Sequence, residues 1–120
     1  MPLVLVSHRS GVLDPTTLVR ISRSLQVIVA GALNVEENKQ ARLFPEDIEV
    51  RVQESSVFDQ NHKDLEIVVF ANQYPERLAN LDERTQKIKD ELRYSMRNSI
   101  TFPFSGYVWV LLTPGSFCEL

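Results

Sequence analysis

The sequence predicts an α+β fold: a tandem β-α-β repeat giving a four-stranded mixed sheet with two helices on one face. Three observations lead there. Near-continuous apolar runs open each half of the chain, at Leu3 to Ser7 and Leu65 to Ala71. Each run is followed by a segment whose apolar residues recur at helical spacing. Each half then closes on a second strand, Val50-Arg51-Val52 in the first and Val108-Trp109-Val110 in the second, with little identity between them. Two such units with right-handed crossovers place their strands in one sheet, antiparallel to each other. The repeats span roughly 1–60 and 61–120 of a single domain, 1–120.

The first run, Leu3 to Ser7, is apolar enough to be buried on both faces. Pro2 precedes it and lacks the N–H that pairing would use, which a strand tolerates at its first position. Asp14 then offers a side-chain cap with Pro15 at the first helical position, predicting a helix from Pro15 to about Ala32. Leu18, Ile21, Leu25, Ile28 and Ala32 form its inward stripe, with Arg20, Arg23 and Ser24 outside. Ile48, Val50 and Val52 alternate with Glu49, Arg51 and Gln53, a half-buried strand with one polar row. In the second half, Asn72 to Arg77 leads from the apolar strand into another helix. Asn80 and Glu83 have capping-box spacing, Leu81, Ile88 and Leu92 face inward, and Asp82, Lys89 and Arg93 face out. The last strand, Tyr107 to Leu112, is apolar throughout and ends at the turn sequence Thr113-Pro114-Gly115.

At 120 residues, with 43% hydrophobic and 24% charged residues, the chain can bury a core without metal or disulfide support. The apolar stretch from Leu25 to Leu33 is broken by Gln26 and Gly31 and is too short to span a bilayer. No basic segment precedes the first apolar run, so no cleaved signal is expected, and no membrane is expected as a partner. Cys118 is the only cysteine, which precludes an internal disulfide and fits a cytoplasmic setting. A net charge of -3 argues against a nucleic-acid surface. His8, Asp59, His62 and Asp64 lack ordered ligand spacing, so no metal is expected. Apolar residues on both faces of Leu3 to Ser7 and of Tyr107 to Leu112 leave a sheet face that a monomer would expose. Oligomerisation is the economical cover, and the expectation is a homotrimer.

Pro2 is the residue with the most distinctive chemistry. Removal of Met1 would make its nitrogen a free secondary amine, whereas a retained Met1 would make it an amide with no basic lone pair. Arg51 stands in the polar row of the second strand, either as a binding group or as a solvated residue paired with Glu49 or Glu54. Arg77 lies in the turn beside Glu76, functional or merely exposed. His8 and Arg9 end the first strand, where a histidine is commonly just a hydrogen-bonded residue. Trp109 aligns with Arg51 and suits an apolar pocket wall or the core.

Met1-Pro2 with its apolar strand, the strand Ile48-Glu49-Val50-Arg51-Val52, and the Glu76-Arg77 turn together resemble the tautomerase superfamily. The likeness covers most of the chain. It is nearest to the 5-carboxymethyl-2-hydroxymuconate isomerase family and to fused 4-oxalocrotonate tautomerases, which share the length and tandem layout; the stretch Leu81-Asp82 to Glu83-Arg84-Thr85-Gln86 is similar to the isomerase's second helix. The chain differs in the placing of Arg9 after His8, in a long segment from Asn34 to Phe44, and in the lack of a proline opening the second unit. The resemblance implies a cofactor-independent isomerase that interconverts keto and enol forms of a small 2-oxo or unsaturated carboxylate. Pro2 would be the base, its pKa brought below the usual amine range of roughly 7.7–8.0 by apolar burial and nearby arginines. Arg51 and Arg77, with Arg9, His8 and Trp109 as further candidates, would hold the substrate's carboxylate and enolate oxygen. A different class stays open, a noncatalytic trimeric binding protein on the same scaffold.

Overall fold

The computed structural model describes residues 1–101 and 103–120. In chain order the elements are β1 (Leu3–His8), α1 (Pro15–Leu33), β2 (Glu49–Glu54), β3 (Leu65–Asn72), α2 (Pro75–Leu78), α3 (Leu81–Met96) and β4 (Gly106–Thr113). Short 3₁₀ turns at Lys39–Ala41 and Pro45–Asp47 punctuate the connection from α1 to β2. The four strands form one mixed sheet in the order β2-β1-β3-β4. Each outer strand is parallel to its inner neighbour, and the two units meet antiparallel along β1 and β3. This is the predicted α+β architecture.

Helix α1 begins as its sequence dictates. The Asp14 carboxylate accepts a hydrogen bond from the Thr17 N–H at 2.7 Å, and Pro15 fills the first turn, where its missing N–H has no partner to lose. Ile21, Leu25, Val29 and Leu33 are fully buried, and Leu18 at the start of the stripe is only half-buried. Ser24 departs from expectation. It lies half-buried between α1 and α3, where its hydroxyl accepts a hydrogen bond from Ser95 Oγ at 3.2 Å. Helix α3 buries Ile88, Leu92 and Met96. Its expected cap is not made: Asn80 Oδ1 accepts from Arg84 Nε at 2.6 Å instead of from a backbone N–H. A charged donor one turn away is a stronger partner than a neutral amide.

Strand register sorts the side chains into two faces. Val4 and Val6 of β1 lie beside Val69 and Ile67 of β3 on the helix-covered side, and all four are sealed from solvent. The opposite face carries rows across all four strands: Glu49, Leu3, Phe70 and Leu111, then Arg51, Leu5, Val68 and Trp109. No helix among the described residues covers this second face. Burial fades at the edges, so Val52 on β2 is 42% exposed, and Tyr107 and Trp109 on β4 are exposed although the strand reads as apolar. No helix among the described residues is long and apolar enough to cross a membrane.

Candidate active site

Pro2 is buried at the head of β1. Its carbonyl accepts from the Glu49 N–H at 3.1 Å, and the register carries it alongside Ile48 and Ala71, both buried. Alternation along the strand puts its ring on the helix side with Val4. The connection from α1 to β2 folds over this end of the sheet, burying Val35, Ala41 and Ile48, while Gln26 Nε2 donates to the Ile48 carbonyl at 3.1 Å. An apolar cover of this kind disfavours a cation at the proline nitrogen once that nitrogen is free.

Arg77 lies at the same end of the sheet but is not in an open loop. It belongs to α2 and is 2% exposed. All three guanidinium nitrogens donate to backbone carbonyls: Nε to Leu33 at 2.8 Å, Nη1 to Asn72 at 2.9 Å and Nη2 to Ala41 at 3.1 Å. Burial, reinforced by the positive charge of Arg84, lowers its pKa from the ordinary arginine value. The Tyr74 ring lies 5.0 Å from its guanidinium carbon, and the Tyr74 hydroxyl donates to the Gln40 carbonyl at 3.2 Å. Arg77 therefore ties the end of α1, the end of β3 and the covering connection together.

Arg84 completes that tie and was not singled out from the sequence. Its Nη1 donates to the Ala32 and Asn34 carbonyls at 2.9 and 3.0 Å. With Arg77 on Leu33, two arginines answer carbonyls that the end of α1 leaves without helical partners. The sequence signal was the spacing of Asn80 and Arg84, one helical turn apart.

Arg51 projects from the open face, where the row through Leu5 and Val68 aligns it with Trp109. Its Nε lies 3.1 Å from Glu49 Oε1, and both side chains are largely exposed. Within one chain, then, Arg51 and the Pro2 ring occupy opposite sides of the sheet. His8 and Arg9 lie at the other end of β1, about 20 Å from Pro2 at the rise of an extended strand. His8 is half-buried and its carbonyl accepts from the Ser55 N–H at 2.8 Å. Arg9 Nη2 donates to the His62 carbonyl at 2.8 Å, and its Nε lies 3.3 Å from Asp64 Oδ1. These two residues join the end of β1 to the approach to β3. The chain does not bring them to the proline. Among the described residues, no group of three or more His, Cys, Asp or Glu side chains is gathered in a way that could hold a metal.

No protein-family model matches the chain, and no curated protein matches it by sequence. Its likeness to known proteins lies in the backbone. A fused 4-OT, solved as a symmetric trimer, superposes with a TM-score of 0.59 at 12% identity, covering 93% of this chain and 85% of that one. At this identity the likeness shows a shared fold. A macrophage migration inhibitory factor-like protein from Entamoeba histolytica shares the fold with a TM-score of 0.61 at 10% identity, over 96% of this chain and 89% of its own. Malonate semialdehyde decarboxylase superposes with a TM-score of 0.55 at 12% identity, over 98% and 91%. At these identities the likeness is one of architecture.

Proposed function

We propose that the protein is a cofactor-independent tautomerase acting on a small 2-oxo or unsaturated carboxylate, with Pro2 as the base after loss of Met1. The observation that carries the reading is Pro2 itself, buried at the head of β1 in a chain of tautomerase fold. A neutral secondary amine there accepts a proton from the carbon next to the substrate's carbonyl and returns it at oxygen, or the reverse. A base whose pKa is brought near ambient pH suits both directions of transfer. The substrate's charge needs a cation. In this reading that cation is Arg51 of a neighbouring protomer in a homotrimer, since within one chain Arg51 and the Pro2 ring lie on opposite sides of the sheet. The symmetric trimer of the fused 4-OT supports that assembly. Arg77 acts as a positioning residue that holds the connection over Pro2. A lone, exposed cysteine, Cys118, is consistent with a cytoplasmic setting.

A second reading, a noncatalytic trimeric binding protein, is favoured by the engagement of every Arg77 nitrogen. One experiment separates the two. Intact mass establishes whether Met1 is removed, and ketonisation of enol phenylpyruvate is then followed for the processed protein and for Pro2→Ala. The variant should lose about two orders of magnitude in kcat/KM, the scale of general base catalysis. Equal turnover in the two proteins, or no turnover in either, sinks the enzymatic reading.

A further inference from the structure

The sheet's internal symmetry gives the head of β1 a counterpart at Leu65, the head of β3, and the two ends are closed differently. Over β1 the long connection through residues 34–48 folds down onto the sheet. Between α3 and β4 the chain has only residues 97–105. There, a cavity of about 200 Å³ opens between α3 and the heads of β3 and β4, bounded by Ile67, Val108, Leu92 and Met96. Lys89 and Arg93 also line it, one turn apart on α3, and both are solvent-exposed. Among the described residues neither has a carboxylate within ion-pairing distance, in contrast to Arg9, Arg42 and Arg51.

The apolar floor of this open cavity meets water, a cost that an apolar occupant would remove. Two like charges at its edge add repulsion. Both are relieved by one kind of occupant, an apolar body with an anionic head. We propose that this cavity is a second ligand site, separate from Pro2, which binds a small amphiphilic carboxylate. Its body packs against Ile67, Leu92, Met96 and Val108, and its carboxylate meets Lys89 and Arg93. An apolar cavity of roughly 150 Å³ takes a benzene ring, so this one takes a ring with a short chain. The site needs no free proline amine and stands or falls independently of the isomerase reading.

The test is a methyl-detected NMR titration of the full-length protein with 3-phenylpropionate, and with 3-phenylpropan-1-ol as its uncharged counterpart. Saturable shifts are expected at the methyls of Ile67, Met96 and Val108, whether or not Ile48 at the Pro2 end also responds. The carboxylate should bind more tightly than the alcohol. The double variant Lys89→Gln/Arg93→Gln, which alters only exposed side chains, should weaken carboxylate binding about tenfold and leave the alcohol's affinity unchanged. Absence of saturable shifts, shifts confined to the Ile48 end, or a double variant that holds the carboxylate as tightly as the parent would each overturn the proposal.

Discussion

Arg77 shows how a residue's surroundings can contradict its neighbours in sequence. Tyr74-Pro75-Glu76-Arg77 reads as a polar turn, and an arginine there reads as available. Its carbonyl partners at Leu33 and Ala41 lie 44 and 36 residues away, a distance no local pattern encodes. Replacing Arg77 with Leu keeps the apolar bulk but removes the donors to three carbonyls, each costing about 1–3 kcal/mol if left buried and unpaired. Allowing for partial relaxation, the expected loss is about 3 kcal/mol in denaturant unfolding. Arg77→Lys should recover only part of it, because one ammonium cannot reproduce the planar fork. An unchanged unfolding midpoint for Arg77→Leu would contradict the assignment of a structural tie. Pro2 is the opposite case, since its chemistry follows from residue type and position alone.

Among the elements, those that announce themselves through local chemistry were legible and those settled by competition were not. Asp14-Pro15 fixed the start of α1, while Asn80, equally suited to capping, was claimed by Arg84. Two carboxylates at element ends also set a pH response. The Thr17 backbone N–H holds Asp14 below the usual carboxylate range. The Ser105 backbone N–H does the same for Asp64, aided by the Ser105 hydroxyl and Arg9 against a burial effect of opposite sign. Because the folded values are lowered, the stabilisation is full above the unfolded aspartate pKa of about 3.9 and is lost as pH falls through the folded values. Thermal unfolding followed from pH 6 to pH 2 should show a midpoint that declines below about pH 4. The decline should be shallower in Asp14→Asn/Asp64→Asn, whose amides still accept hydrogen bonds but do not titrate. A parallel decline in both proteins would show that other carboxylates govern acid unfolding.

At the scale of the whole molecule, the tandem arrangement was readable because apolar strands and helical stripes recur. The candidate site was only partly readable, because it depends on which end of the sheet a residue reaches and which face it takes. Pro2, Arg77 and the covering connection share one end, whereas His8 and Arg9 occupy the other and Arg51 the reverse face. That reverse face, with Leu3, Leu5, Val68 and Phe70 at its centre, is the surface expected to close a homotrimer. Val68→Asp places a carboxylate in the middle of it. Sedimentation velocity at micromolar concentration should give a trimer for the parent and a monomer for the variant, and a monomeric parent would refute the assembly. The two borders of the sheet are chemically unlike. The β2 border presents Glu49, Arg51, Gln53 and Glu54, charged and polar groups that discourage another strand from adding there, whereas the β4 border presents Tyr107 and Trp109. The two margins therefore differ in how readily another strand can add: the β4 edge is the open one and the β2 edge the guarded one.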